Sequence, residues 1–315
     1  RIAESMAGQI RSGTLSRGER IPSVRMLAQQ HGVSQSTVVQ AYRTLEDARL
    51  IEARPRSGYF VATRPAASLP EPDTSAPPAG SMPVGVSELA ARVMSLANEP
   101  GYTSFGAACP SADLFAQERV RRAVSRAAQR HRMSLCQYPI GPGDESLRKA
   151  IARHALRMGC HLDARDIIVT NSCLEAITLC LRAVTRPGDV VALESPTYFG
   201  FLEILESLGL RALEIPTHPR TGLSLEALQL ALDTQPVKAV LAVPTLSNPV
   251  GSSMPQAERR RLAQMLATHD IPLIEDVLYN DLCEEEDKRR AVKSFDTGGH
   301  VMVCGSFSKT IAPGL

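Results

Sequence analysis

Five short apolar runs, interleaved with helix-period segments, constrain this chain more than any other feature. The runs cover residues 167–170, 190–195, 238–245, 271–276 and 301–308. Between them, residues 174–184, 197–209 and 255–270 repeat their apolar positions at helical spacing. Continuous Val, Ile and Leu without polar alternation reads as strand buried on both faces, and the intervening helices read as crossovers of a parallel sheet. Right-handed crossovers are expected, with ligands beyond the carboxyl ends of the strands. Residues 87–315 are therefore read as an α/β unit with a mostly parallel sheet.

Composition divides the rest. Residues 64–86, RPAASLPEPDTSAPPAGSMPVGV, have no apolar period and read as a semi-extended linker. Residues 1–63 are compactly patterned and basic. Residues 1–65 hold ten arginines against five acids, a net of +5, so the remainder carries −3 of the chain's +2. A basic head on a mildly acidic body directs a polyanion to the head alone. The chain is 43% hydrophobic and 22% charged, which excludes a disordered chain, and no apolar run is long enough for a membrane helix. Residues 1–12 do not read as a signal peptide. The seven cysteines form no C-x-x-C pair, so no metal site is expected, and reduced thiols in a cytoplasm are. The start at Arg1 and the stop just after a motif suggest a piece of a longer protein, truncated at its C-terminus.

In the head, Ser23 is placed to cap a helix carrying Val24, Leu27 and Ala28 inward, His31-Gly32 ends it, and Ser34 caps a second helix with Val38, Ala41, Tyr42 and Leu45 on its core face. Helix, glycine-containing turn, helix is the helix-turn-helix signal. Residues 50–62 then read as a hairpin wing with Arg54, Arg56 and Gly58 at its tip. The pattern PSxRxLAxxxGVSxxTVxxAYxxLExxxLIxxxxxSGxFV resembles the GntR family of winged-helix regulators. The resemblance implies contacts to double-stranded DNA from Arg25, Ser34, Gln35, Thr37 and Gly58. Gln35 stands where the family often has Arg, which shifts the expected pairing from guanine to adenine. Arg54 and Arg56 read as wing contacts or as a solvated loop, and Arg43 as a DNA contact or as a partner of Glu46 or Asp47.

In the body, chemistry collects at strand ends. Lys309, one of only five lysines, follows the last apolar run between hydroxyls, where an amine can form a Schiff base with an aldehyde cofactor. Asp276 ends another run. A buried carboxylate there needs a cation, such as a protonated pyridine nitrogen, unless it merely caps a helix. Tyr279 can donate to a phenolate. Asn248, before Pro249, can do the same or simply form a turn. The amides of Ser172 and Cys173 open a helix and suit a phosphate, Ser306 adds a hydroxyl, and Tyr198 can stack on a planar ring.

The order of these residues resembles the fold-type I aminotransferases, and the combination with a GntR head resembles the MocR subfamily of regulators. That resemblance implies an α/β/α large domain that binds pyridoxal 5′-phosphate. It gives Lys309 the cofactor's aldehyde, Asp276 the pyridine nitrogen, Asn248 and Tyr279 the 3′-oxygen and Tyr198 the ring stack. Ser306 and the 171–173 amides (Asn171, Ser172, Cys173) take the phosphate. Tyr138 resembles a tyrosine that serves a partner subunit, which implies a homodimer. Ser172 and Leu174 stand where the family has Gly and Gln, and Ser172 fits only with a negative φ. The expected function is a DNA-binding transcriptional regulator that senses the cofactor, or its adduct with an amine or amino acid. The alternatives are an active aminotransferase with an appended head, and a DNA-binding protein whose body has lost the cofactor.

Overall fold

A computed structural model describes residues 1–55, 57–62, 71–96, 99, 101, 108–138 and 140–314. The chain forms two compact units, Arg1–Glu71 and Pro72–Leu315.

The first unit has helices α1 (Ile2–Arg11), α2 (Val24–His31) and α3 (Gln35–Asp47), followed by an antiparallel hairpin of β1 (Ile51–Arg54) and β2 (Gly58–Val61). The local reasons are those read in the sequence. Ser23 accepts from the Met26 N–H and Ser34 from the Thr37 N–H, while Gly32 closes α2 in the left-handed region that glycine tolerates. Met6, Leu27, Val38, Tyr42, Leu45, Ile51 and Val61 make the core. Tyr42 is buried, and its hydroxyl donates to the Pro22 carbonyl at 2.5 Å. Burial pushes its phenol up to about 12.

The second unit is a seven-stranded sheet. Its path runs β3 (Met82–Pro83), β5 (Arg211–His218), β4 (Val190–Ser195), β7 (Val237–Ala242), β8 (Leu273–Asp276) and β9 (Val301–Cys304), with β6 (Gly222–Leu223) on β5. β5, β4, β7, β8 and β9 are parallel; β3 and β6 are antiparallel. Both faces are covered. Val190 and Ala192 pack on one side with α9 (Leu225–Thr234) and α10 (Gln256–His269). Val191 and Leu193 pack on the other with α7 (Cys173–Val184) and α8 (Phe199–Ser207). Strand residues that alternate between two apolar layers leave no polar face, which is why these runs read as unbroken.

Three features depart from the sequence reading. Residues 167–170 form no strand: Ile168 is 69% exposed, and the Val169 N–H bonds to the Pro142 carbonyl of a loop at 2.8 Å. That loop fits closely, because a Cβ at Gly143 would stand 2.6 Å from the Val169 side chain. β5 went unread because Glu214 and Pro216 interrupt its apolar positions. Finally, residues 72–86, assigned to the linker, lie on the sheet. Met82–Pro83 pairs with β5, Arg211 donates to the Ser81 carbonyl at 2.6 Å, and Ser75 bonds the Ser195 carbonyl and the Thr217 N–H. A short edge strand with few side-chain contacts carries no hydrophobic period to read.

Candidate cofactor pocket and nucleic-acid surface

β8 delivers Asp276 to the carboxyl edge of the sheet. The residue is 5% exposed. Its Oδ1 accepts from the Leu278 N–H at 2.8 Å, and the Cys173 thiol lies 3.6 Å away. Among the described residues it makes no ion pair. Burial pushes its carboxyl up to about 6, against the two hydrogen bonds that lower it. A carboxylate so placed is costly unless a cation joins it.

Two tyrosines wall the same space. Tyr198 follows β4, and Tyr279 follows Asp276. Both pack, half-buried, on the layer that holds Cys173, and burial raises both phenols. The Asn248 side chain hydrogen-bonds Tyr279 and opposes that rise. The Tyr198 ring leans over Gly200, where a Cβ would come 2.5 Å from the ring, so no larger residue fits with the ring in place. The Phe201 ring stands edge-on to it at 5.5 Å.

Asn248 sits in a loop, residues 244–254, that is fastened from both sides. Ser247 and Ser252 exchange a 2.6 Å hydroxyl bond across its neck. Arg259 of α10 is fully buried beneath it and donates to Met254 O (2.8 Å), Pro244 O (2.9 Å), Thr245 Oγ1 (2.9 Å) and the Arg290 carbonyl. A guanidinium has five donors in a fixed fork, which suits it to gather several carbonyls. Sequence pattern alone gave no sign of this role.

The α7 N-terminus is where the phosphate loop is expected. Ser172 has φ −160°, extended backbone open to any residue, so its replacement of the family glycine is accommodated. Its hydroxyl accepts from the Glu175 N–H at 3.1 Å. Glu175 folds back, and its Oε2 takes both the Asn171 N–H (2.5 Å) and the Asn171 side-chain amide (2.9 Å). The loop thus carries its own carboxylate. The S-x-x-E spacing was the available signal for this capping box.

Lys309 stands in the turn after β9. Its Nζ donates to the Ala108 carbonyl at 2.8 Å. The next residue, Cys109, is electrostatically coupled to Tyr198. Ser306 shapes the turn by accepting from the Ser308 N–H at 3.1 Å. Tyr138 stands apart from these residues and is 93% exposed. Besides Arg259, two further features of the pocket escaped the sequence reading. Besides Gly200, Glu194 is buried beside the pocket, with Oε2 accepting from the Val243 N–H at 3.0 Å and Oε1 without a partner among the described residues. Burial, and the charge of Asp276, push its carboxyl up to about 8.

In the first unit, Arg25, Ser34, Gln35, Thr37, Arg43 and Gly58 are all exposed. Arg43 has no ion pair with Glu46 or Asp47. Arg54 in the wing bonds Glu52 at 3.0 and 2.6 Å and lies over the Phe60 ring at 4.4 Å, with its side chain still 44% exposed. Arg56 lies outside the described residues. Arg20, unremarked in the sequence, bridges to Phe60 and lies along Gly58, so it belongs to the same exposed wing surface.

The architecture is that of a winged-helix DNA-binding unit joined to an aminotransferase-type α/β unit. Residues 1–61 match the bacterial regulatory proteins of the gntR family, and residues 111–313 match aminotransferase class I and II. The chain is 40% identical to the uncharacterized HTH-type transcriptional regulator YjiR of Escherichia coli, over all of this chain and 67% of that one. It is 28% identical to the probable rhizopine catabolism regulatory protein MocR of Rhizobium meliloti, over all of this chain and 63% of that one. The second unit resembles the kynurenine aminotransferase of Pyrococcus horikoshii, solved with PMP, with a TM-score of 0.64 and 27% identity over 72% of this chain and 57% of that one. The chain belongs to the GntR-type transcriptional regulators that carry an aminotransferase class I and II domain. A DNA-binding regulator is thereby favoured over a plain aminotransferase. Among the described residues, no helix is long and apolar enough to cross a membrane.

Proposed function

We propose that the aminotransferase-like unit binds pyridoxal 5′-phosphate, and that its occupancy, alone or with a small amine or amino acid, sets the affinity of the winged helix for a double-stranded DNA operator. The active form is a cytoplasmic homodimer. One observation carries the reading: Asp276 is a buried carboxylate that has no ion pair among the described residues, at a strand end walled by Tyr198, Tyr279 and Asn248. That donor set suits a flat, cationic ring with a phenolic oxygen.

Pyridoxal phosphate, when bound, supplies an aldehyde for amines and an electron-withdrawing ring. The chain's own residues divide the remaining work. Asp276 holds a proton on the ring nitrogen. Asn248 and Tyr279 orient the phenolic oxygen by hydrogen bonds, and Tyr198 excludes water from one ring face. The amides of Asn171, Ser172 and Cys173, with the Ser306 hydroxyl, suit the phosphate once Glu175 yields. Lys309 supplies the amine. In the head, Arg25 and the α3 N-terminus at Ser34 and Thr37 suit phosphates. Gln35 suits an adenine edge, and Gly58, Arg43, Arg54 and Arg56 complete the surface. Support for the homodimer comes from surface left unburied in one subunit: Tyr138 and Ile140 (96% exposed) stand in solvent, and α5 (Gln117–Arg130) buries no residue.

A ligand can alter DNA binding only if it favours one arrangement of the molecule over another. The test is therefore direct. The full-length protein is footprinted on DNA upstream of its own and neighbouring genes, without cofactor, with pyridoxal phosphate, and with amines added. Protection that changes with cofactor or amine is expected. Protection indifferent to both overturns the sensor, and repeated turnover of an amino donor with a keto acid, without protection, supports the aminotransferase instead.

A further inference from the structure

His154 lies in the last turn of α6 (Glu145–Ala155), apart from the residues that wall the pocket. Its Nε2 is 2.6 Å from Asp281 Oδ2, and its ring meets the Phe307 ring edge-on, centroids 5.8 Å apart. These two contacts touch two segments of different origin. Asp281 comes two residues after Tyr279, in the 3-10 turn Asn280–Leu282, whose last N–H bonds back to the Tyr279 carbonyl at 2.9 Å. Phe307 comes two residues before Lys309.

Phe307 is also the hub of the lysine turn. Its carbonyl accepts the N–H groups of Thr310 (3.2 Å), Ile311 (2.8 Å) and Ala312 (3.2 Å). Three donors on one oxygen make the orientation of Phe307 the orientation of the turn. The ring is what His154 holds.

The Asp281 carboxylate has the environment of a group kept for placement. It is 21% exposed and the His154 side chain 29%, so their bond is only partly screened by water. Asp281 Oδ1 is buried with no hydrogen-bond partner among the described residues. A half-satisfied carboxylate costs stability, and His154 is the partner that steadies it.

We propose that His154 and Asp281 are a positioning pair for the cofactor lysine: together they hold the Phe307 turn against the Tyr279 segment, so that Lys309 and Tyr279 meet the same ligand. The proposal rests on the pyridoxal phosphate reading above, and neither residue touches the ligand.

The test titrates pyridoxal phosphate into full-length H154A, H154Q, D281N and K309A proteins. It follows the visible band of the bound cofactor and that band's pH midpoint, with thermal unfolding measured in the absence of cofactor. H154A is expected to lose about tenfold in cofactor affinity and to shift the midpoint, because small displacements of a reacting group are costly. H154Q, which keeps a donor towards Asp281, is expected to regain most of the loss. Unfolding of the cofactor-free protein should move little. Wild-type affinity and midpoint in both H154A and D281N overturn the proposal. So does a loss that follows the unfolding temperature and that H154Q does not rescue. Should H154A fail to fold, H154Q and D281N carry the comparison, with the midpoint as readout. K309A separates the two ideas. If the wild type itself shows no bound band, the cofactor reading falls and the proposal with it; if K309A keeps the wild-type band, Lys309 is not the cofactor's amine and the proposal alone falls. If K309A loses the band while the His154 and Asp281 variants behave as wild type, the pair alone is refuted.

Discussion

Two helix N-termini in this molecule have the same construction and opposite electrostatics. α3 opens at Ser34 and α7 at Ser172, both extended, and each serine accepts from the N–H three residues on, at 3.2 and 3.1 Å. At that third position α3 has Thr37, and its first turn holds no acid. α7 has Glu175, whose carboxylate already takes the Asn171 donors. One end is open to a phosphate and the other is provisionally filled. On the proposed function, the head meets a polyanion without preparation, whereas the body exchanges an internal anion for an external one. That makes the body the unit able to register arrival of a ligand.

The largest expected effect removes the body's side of this contrast. D276N should weaken pyridoxal phosphate binding about a hundredfold, since it leaves a buried cation without its counter-charge. The free Asp276 carboxyl sits at about 6, protonated below that pH and ionised above it. Wild-type cofactor affinity should thus rise between about pH 5 and 7, and the asparagine variant should lose the slope; spectroscopic titration at several pH values checks both.

Next come two reciprocal exchanges at the third cap position. T37E should cost about tenfold in operator affinity at moderate salt by setting a carboxylate against a DNA phosphate. Its helix should remain folded, since serine with glutamate three residues on is itself a favourable cap. Mobility shifts beside circular dichroism distinguish the two effects. E175T should instead tighten cofactor binding several-fold, about what one unit charge a few ångströms away contributes when water screens it. Unchanged affinity would mean that Glu175 does not compete with the phosphate.

The smallest effect lies on Glu194. Its carboxyl is raised to about 8, so the folded state holds that proton more tightly than the unfolded one. Its contribution to stability is present at low pH and lost as pH rises from the usual carboxylate range through about 8. E194Q should flatten the fall in Tm between about pH 6 and 8 by a few degrees.

How much of this was legible depended on how local each cause is. The caps at Ser23 and Ser34, and the runs that became β4, β7, β8 and β9, depend on neighbours in sequence, and they read directly. Asp276, Lys309, Tyr279 and Asn248 were identifiable because strand ends collect at one edge of a parallel sheet. β5 was not, since its buried Ala212, Leu213, Ile215 and Thr217 are broken by Glu214 and Pro216. Residues 167–170 have strand composition, but the Val169 N–H donates to a loop carbonyl rather than to a strand. Gly200 under the Tyr198 ring, Arg259 under the Asn248 loop and His154 against Phe307 are contacts between segments that no local pattern encodes. The Ser172–Glu175 capping box is different: its spacing was visible, and the family glycine it displaced drew attention away from it.

The strap formed by residues 72–86 bears on how the molecule can be divided in practice. Glu206 of α8 takes the N–H groups of Val86 and Ser87, at 2.7 and 2.9 Å, and the Ser87 hydroxyl at 2.8 Å, so the strap is clasped at its far end as well as along β5. A body excised at residue 87, where composition places the boundary, would surrender an edge strand and one of the three bonds of that clasp. It would also expose the backbone of β5 to pairing with other chains, the usual hazard of an uncovered sheet edge. Excision near Pro72 keeps the edge covered, and soluble yield of the two fragments is the simplest measure of what the strap does.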